Sequence, residues 1–124
     1  MPFRQVAALG ENDRSATGYL PRAEFEATVE AFFARPSESI RGWERAVAAQ
    51  ARLVGALEGM AYTTPGAGPI AVVSHGGVGA LLLCHLKGAA ISRQEEQPAT
   101  SGGHYFLFQV PEGTLVHGWI PIDT

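Results

Sequence analysis

The feature that most constrains this chain is one run: Ile70-Ala71-Val72-Val73-Ser74-His75-Gly76-Gly77-Val78-Gly79-Ala80-Leu81-Leu82-Leu83-Cys84-His85-Leu86. Residues 70–74 are apolar, β-branched or small, the pattern of a strand buried on both faces. The glycines at 76, 77 and 79 read as a tight turn, and the chain from Ala80 onward as a helix. A histidine at the carboxyl end of a buried strand, facing a helix N-terminus, marks the place where α/β sheets gather ligands. The helix end offers unpaired N–H groups and a partial positive charge, and glycine lets a ligand approach the backbone closely. The same residues also fit a plainer reading, in which His75 is a hydrogen-bonded strand-end histidine and the glycines only turn the chain. Taken alone, this stretch leaves both open.

The flanking elements agree with an α/β domain. Residues 3–9 read as a short strand, and 10–18 as a polar loop bounded by Gly10 and Gly18. Pro21 or Arg22 begins a helix whose apolar stripe is Phe25, Val29, Phe32 and Phe33, and Pro36 stops it. Ser37 or Ser39 is expected to cap a second helix, with Glu38 near its positive end. In that helix Ile40, Trp43, Val47, Val54 and Leu57 would share a face. Residues 64–69 form a Pro/Gly turn segment before the central strand, and 92–103 a polar loop. Residues 104–110 and 114–120 read as strands joined by Pro111-Glu112-Gly113 as a three-residue hairpin. The order β-α-α-β-α-β-β predicts an α/β fold with a mixed β-sheet flanked by helices, parallel at the crossovers and antiparallel at the last hairpin. At 124 residues, one domain over 1–124 with a single core is expected.

Composition excludes several function classes. A net charge of −3, with eight arginines and one lysine scattered along the chain, makes no electrostatic case for nucleic acid or an anionic membrane. No apolar run approaches the roughly 20 residues of a membrane helix. Met1-Pro2-Phe3-Arg4-Gln5 lacks the apolar core of a secretory leader, so a cytoplasmic location is expected. The lone Cys84 rules out an internal disulfide and suits a reducing compartment; it is expected to be packed inside its helix. No His, Asp and Glu spacing makes a metal site, and the glycines do not match a nucleotide-binding motif, so no metal and no cofactor are expected. The serine-hydrolase elbow is missing as well.

Chemistry-bearing residues concentrate in two places: Glu11, Asp13 and Arg14 in the first loop, and His75 at the central strand end. If the strands at 3–9 and 70–74 are parallel, both groups fall at one edge of the sheet. Imidazolium, guanidinium and helix N–H groups would bind phosphoryl oxygens there, and Glu11 would move a proton. The alternative is a solvated loop in which Asp13 and Arg14 pair with each other. Among the other histidines, His85 and His117 are expected to be structural, His85 packed among leucines. His104 follows a glycine loop that would border the site.

Taken together, residues 9–21 (Leu9-Gly10-Glu11-Asn12-Asp13-Arg14 to Pro21), Glu24-Phe25-Glu26, Gly42-Trp43-Glu44 and Val72-Val73-Ser74-His75-Gly76-Gly77-Val78 resemble the histidine phosphatase (phosphoglycerate mutase-like) superfamily. The resemblance covers essentially the whole chain but only the later part of a family member. It implies that His75 is the second pocket histidine, binding and polarising the phosphoryl group, and that Glu11 is the acid/base. By the same resemblance the N–H of Gly77 would touch the phosphate; Gly76 and Arg14 are expected to contact it as well. The implied partner is a small phosphorylated substrate or phosphate, and the implied reaction phosphomonoester hydrolysis or phosphoryl transfer.

The departure from the family lies in its nucleophile, the histidine of an Arg-His-Gly motif, a triplet that occurs nowhere in these 124 residues. A phosphohistidine mechanism needs that group in line with the leaving oxygen. An impaired or inactive, truncated domain is therefore expected. Loss of the first central strand would expose a sheet edge, which predicts a homo-oligomer formed through that edge. The alternative function is a non-catalytic anion-binding or oligomeric interaction module using the same pocket.

Overall fold

The computed structural model describes residues 7–63, 76–96, 104–109 and 114–121. His75, the expected strand at 70–74, the turn segment at 64–69 and the hairpin turn at 111–113 lie outside the described residues. A 3-10 turn, Ala7–Leu9, precedes helices α1 (Arg22–Ala34), α2 (Ala46–Thr63) and α3 (Gly76–Lys87). A second 3-10 turn, Arg93–Glu95, leads to strands β1 (His104–Gln109) and β2 (Thr114–Pro121).

β1 and β2 pair antiparallel, with His104 opposite Pro121 and Gln109 opposite Thr114, and the register slips on either side of Leu107. This is the expected hairpin to within a residue at each strand end. It is also the antiparallel part of the expected mixed sheet; the parallel part would fall on residues outside the described set. One piece of it is corrected: residues 7–9 coil into a 3-10 turn instead of extending as a strand. Gly10 N–H closes that turn onto Ala7 O at 3.0 Å, and the Ala8 carbonyl is taken by the Arg52 side chain. Those backbone groups are satisfied without a ladder.

α1 begins at Arg22 and ends at Ala34, as Pro21 and Pro36 dictate. Its stripe is buried at Val29, Phe32 and Phe33, with Phe25 half-buried at its edge. The second helix is corrected: it starts at Ala46, not near Ile40. Arg41 and Gly42 both take left-handed φ values, 51° and 83°, while Trp43 N–H donates to Ile40 O at 2.8 Å. That is the φ pattern of a type I′ turn, which no helix accommodates. A Cβ on Gly42 would stand 2.7 Å from the Ala16 Cβ, so glycine is required there by conformation and by contact. Ser39 donates to the Trp43 carbonyl, holding this turn closed from within, and Glu38 pairs with Arg35 instead of facing a helix end. On α2 itself Ala46, Ala49, Leu53 and Leu57 are buried, whereas Val47 is exposed.

α3 begins at Gly76, so the expected glycine turn is the first turn of the helix. Glycine costs about 1 kcal/mol against alanine inside a helix, so each needs a reason. Gly79 has Trp119 of β2 pressed against it: a Cβ there would meet the indole at 3.1 Å. Gly77 has the Glu11 carboxylate, as described below. From Val78 to Cys84 every residue but Gly79 is buried, and a helix apolar on all sides is buried on all sides. Cys84 is free and buried, as expected. His85 is corrected: it is exposed in the last turn.

The core joins α1, the turn at Ile40 and Trp43, α2 and α3, with Phe106 and Phe108 of β1 packed against it. Phe32 lies edge-on to Phe33 and to Trp43, and Trp119 edge-on to Phe106 at 4.8 Å. Burial of each such side chain contributes roughly 1.5–3 kcal/mol. Among the described residues no helix is long and apolar enough to cross a membrane.

Candidate active site

Glu11 stands in the loop between the first 3-10 turn and α1, yet its carboxylate reaches the start of α3. Gly77 N–H donates to Oε2 and Val78 N–H to Oε1, both at 3.1 Å, across 66 and 67 residues of sequence. Asn12 N–H adds a third bond to Oε1 at 3.1 Å. The carboxylate thus sits on two unpaired N–H groups at the positive end of a helix, where an anion is favoured. A Cβ on Gly77 would lie 2.6 Å from Glu11 Oε1 and 2.9 Å from Oε2. Gly77 is glycine so that this carboxylate can approach. Its N–H, expected for phosphate, donates to Glu11 in this structure.

Arg14 is the cation beside it. Its Nη2 is 3.9 Å from Glu11 Oε2, and Nε donates to Asn12 Oδ1 at 3.0 Å. The guanidinium lies over two adjoining, mutually tilted rings, 5.1 Å from the Phe25 centroid and 4.9 Å from that of Trp43. Cation–π attraction holds it with its side chain still 30% exposed. Trp43 in turn donates Nε1–H to Thr17 Oγ1 at 2.8 Å, so the aromatic floor and the loop are tied together. Asn12 is buried at 3% exposure, and its Nδ2 meets no acceptor among the described residues.

Asp13 does not pair with Arg14. Its carboxylate accepts from Ser15 N–H at 2.9 Å, and the hydrogen bonds from Ser15 hold the Asp13 carboxyl below the usual carboxylate range. Its backbone joins the loop to the segment ahead of α2: Glu44 N–H donates to Asp13 O at 2.9 Å, and Asp13 N–H to Glu44 Oε1 at 3.1 Å.

The sequence reading did not single out Glu44 and Arg52 as a pair. Arg52 on α2 donates from Nε and Nη2 to the two oxygens of Glu44, at 3.1 and 2.9 Å. Nη1 donates to Ala8 O at 2.6 Å and Gly10 O at 3.0 Å, and Nη2 also reaches Glu11 O at 3.4 Å. Hydrogen bonds from Arg52 hold Glu44 below the usual carboxylate range; burial opposes this, and the Asp13 N–H reinforces it. The signal available in sequence was small: Arg52 is one of two charged residues in an 18-residue helix otherwise rich in alanine and leucine.

Of the expected site residues, Glu11, Arg14 and Gly77 converge, and Gly76 opens the helix on which they meet. His75 lies outside the described residues, immediately before that helix in sequence. His117 is on β2 opposite Leu107, with Nδ1 2.9 Å from Gly118 O, and so belongs to the hairpin. Among the described residues no group of three His, Cys, Asp or Glu is placed to hold a metal. What remains is a carboxylate and a guanidinium side by side at a helix N-terminus, a pair able to move a proton and to neutralise an oxyanion.

A family model, that of the histidine phosphatase superfamily (branch 1), matches residues 5–107. No curated protein matches the chain.

Proposed function

Because the chain belongs to the histidine phosphatase superfamily, an α/β family, we propose that it carries the phosphate-binding and acid/base half of that family's site and takes a small phosphomonoester. In this reading His75 and the Gly76 N–H bind the phosphoryl oxygens, Arg14 neutralises part of their charge, and Glu11 gives a proton to the leaving group or takes one from the attacking water. Gly77 serves by holding Glu11. The observation that supports it best is the pair of bonds from Gly77 and Val78 N–H to Glu11, which brings the acid loop to the residues directly after His75-Gly76.

The 124 residues contain no Arg-His-Gly triplet, so the phosphoryl-accepting histidine of the family is not among them. By themselves they bind phosphate without turnover. The test is hydrolysis of a chromogenic phosphomonoester alongside thermal stabilisation by inorganic phosphate, for the unmutated chain and for His75→Ala. Stabilisation by phosphate that His75→Ala removes, with no hydrolysis in either protein, is the expected result. Hydrolysis abolished by His75→Ala would keep the family chemistry but overturn the missing nucleophile. Absence of any response to phosphate in the unmutated chain would overturn the reading as a whole.

A further inference from the structure

Glu11 reaches the start of α3 only if the loop that carries it follows one particular path. Its bonds to Gly77 and Val78 are bonds to the destination; they do not explain the path. Three stations on that path, the carbonyls of Ala8, Gly10 and Glu11, turn toward one guanidinium. Carbonyls that converge on a point repel one another unless a cation stands there, and Arg52 is that cation. Its own orientation is fixed by the two-pronged pair with Glu44. Glu44 then closes the circuit, because it also accepts from Asp13 N–H on the far side of Glu11, and its own N–H donates to Asp13 O. The backbone is therefore held on both sides of Glu11, at Gly10 and at Asp13, by one ion pair anchored on α2.

We infer that Arg52, locked by Glu44, is the positioning residue for Glu11: it sets the loop so that the carboxylate rests on the Gly77 and Val78 N–H groups. In naming Glu11 the acid this rests on the function proposed above; the positioning itself rests on the geometry. Lysine cannot replace it, since one ammonium cannot hold both Glu44 oxygens in a planar fork while reaching three carbonyls.

The experiment is an amide ¹H–¹⁵N spectrum of the chain with and without Arg52→Ala, beside Glu11→Ala. Hydrogen bonds to a carboxylate move amide protons downfield. Arg52→Ala is expected to shift the Gly77 and Val78 amides upfield, in the direction given by Glu11→Ala, while α1 and the β1–β2 hairpin keep their resonances. Free guanidinium at millimolar concentration is expected to restore both amides in Arg52→Ala and not in Glu11→Ala, a rescue that general loss of stability does not show. Unmoved Gly77 and Val78 amides in a folded Arg52→Ala protein would overturn the inference. Should that variant fail to fold, Arg52→Lys carries the test on the same two resonances, and their retention would equally overturn it. A chain that gives this response but ignores inorganic phosphate would remove the proposed function and leave the positioning role intact.

Discussion

Arg52 and Arg93 are alike in exposure, 26% and 29% of the side chain, and each gathers its surroundings onto one guanidinium. What they gather differs. Arg52 takes one carboxylate, Glu44, and three backbone carbonyls between Ala8 and Glu11. Arg93 takes three carboxylates, Glu26, Glu30 and Glu96, which are 50%, 67% and 36% exposed. It ties the second 3-10 turn to α1, with the pair Lys87–Glu95 nearby. Bonds to carbonyls determine where a backbone runs, and their strength depends little on dissolved ions. Bonds among exposed charges are screened, and they hold side chains that have many other places to go. One arginine shapes a site; the other trims a surface.

The sharpest way to break this comparison is to remove each arginine in turn. Arg52→Ala strands Glu44 and takes a donor from three carbonyls, for an expected loss of about 3 kcal/mol in urea unfolding, little changed by salt. A loss equal to that of Arg93→Ala would erase the distinction.

Gly77→Ala comes next, and here the sign is informative. An ordinary helical glycine gains up to about 1 kcal/mol on replacement by alanine, as expected for exposed Gly55, where an added Cβ meets nothing within 4 Å. At Gly77 the new Cβ displaces the Glu11 carboxylate and the two N–H bonds it accepts, so a net loss of about 1 kcal/mol is expected. Stabilisation by Gly77→Ala would mean that Glu11 is not seated there.

Arg93→Ala is expected to have the smallest effect, and one that vanishes in about 1 M sodium chloride, where the screening length falls to about 3 Å. The pH dependence has the same origin. The Arg93 hydrogen bond lowers the Glu26 carboxyl below its unfolded value of 4.5. A group lowered on folding contributes stability above its unfolded value and loses it as pH falls through the folded one. Unfolding curves taken downward from pH 5 should therefore converge for the unmutated chain and Arg93→Ala. A difference that persisted in high salt and acid would show that Arg93 acts by packing.

These contrasts also mark what sequence could reveal. The α1 stripe, the proline at each of its ends, the β1–β2 hairpin and the packed Cys84 were legible because each depends on neighbours within a turn or a strand. The family signature was legible for the same reason, being carried by short motifs. The start of α2 was misplaced because Arg41 and Gly42 take left-handed conformations, leaving Ile40 and Trp43 buried ahead of the helix. The glycines after His75 looked like a turn, since the contacts that call for glycine inside a helix there lie 66 residues back at Glu11 and 40 residues ahead at Trp119.

By itself, then, the sequence determined α1 with its apolar face, the β1–β2 hairpin and the presence of an acid loop and a His-Gly-Gly segment. Only the tertiary structure decided that Glu11 caps α3, that Arg14 lies over Phe25 and Trp43, and that Arg52 and Glu44 hold the loop between them. Periodicity reports what a residue does to its own helix or strand. Hydrogen bonds and ion pairs spanning 31 to 67 residues leave no period, and arise only where folding has brought the partners within reach.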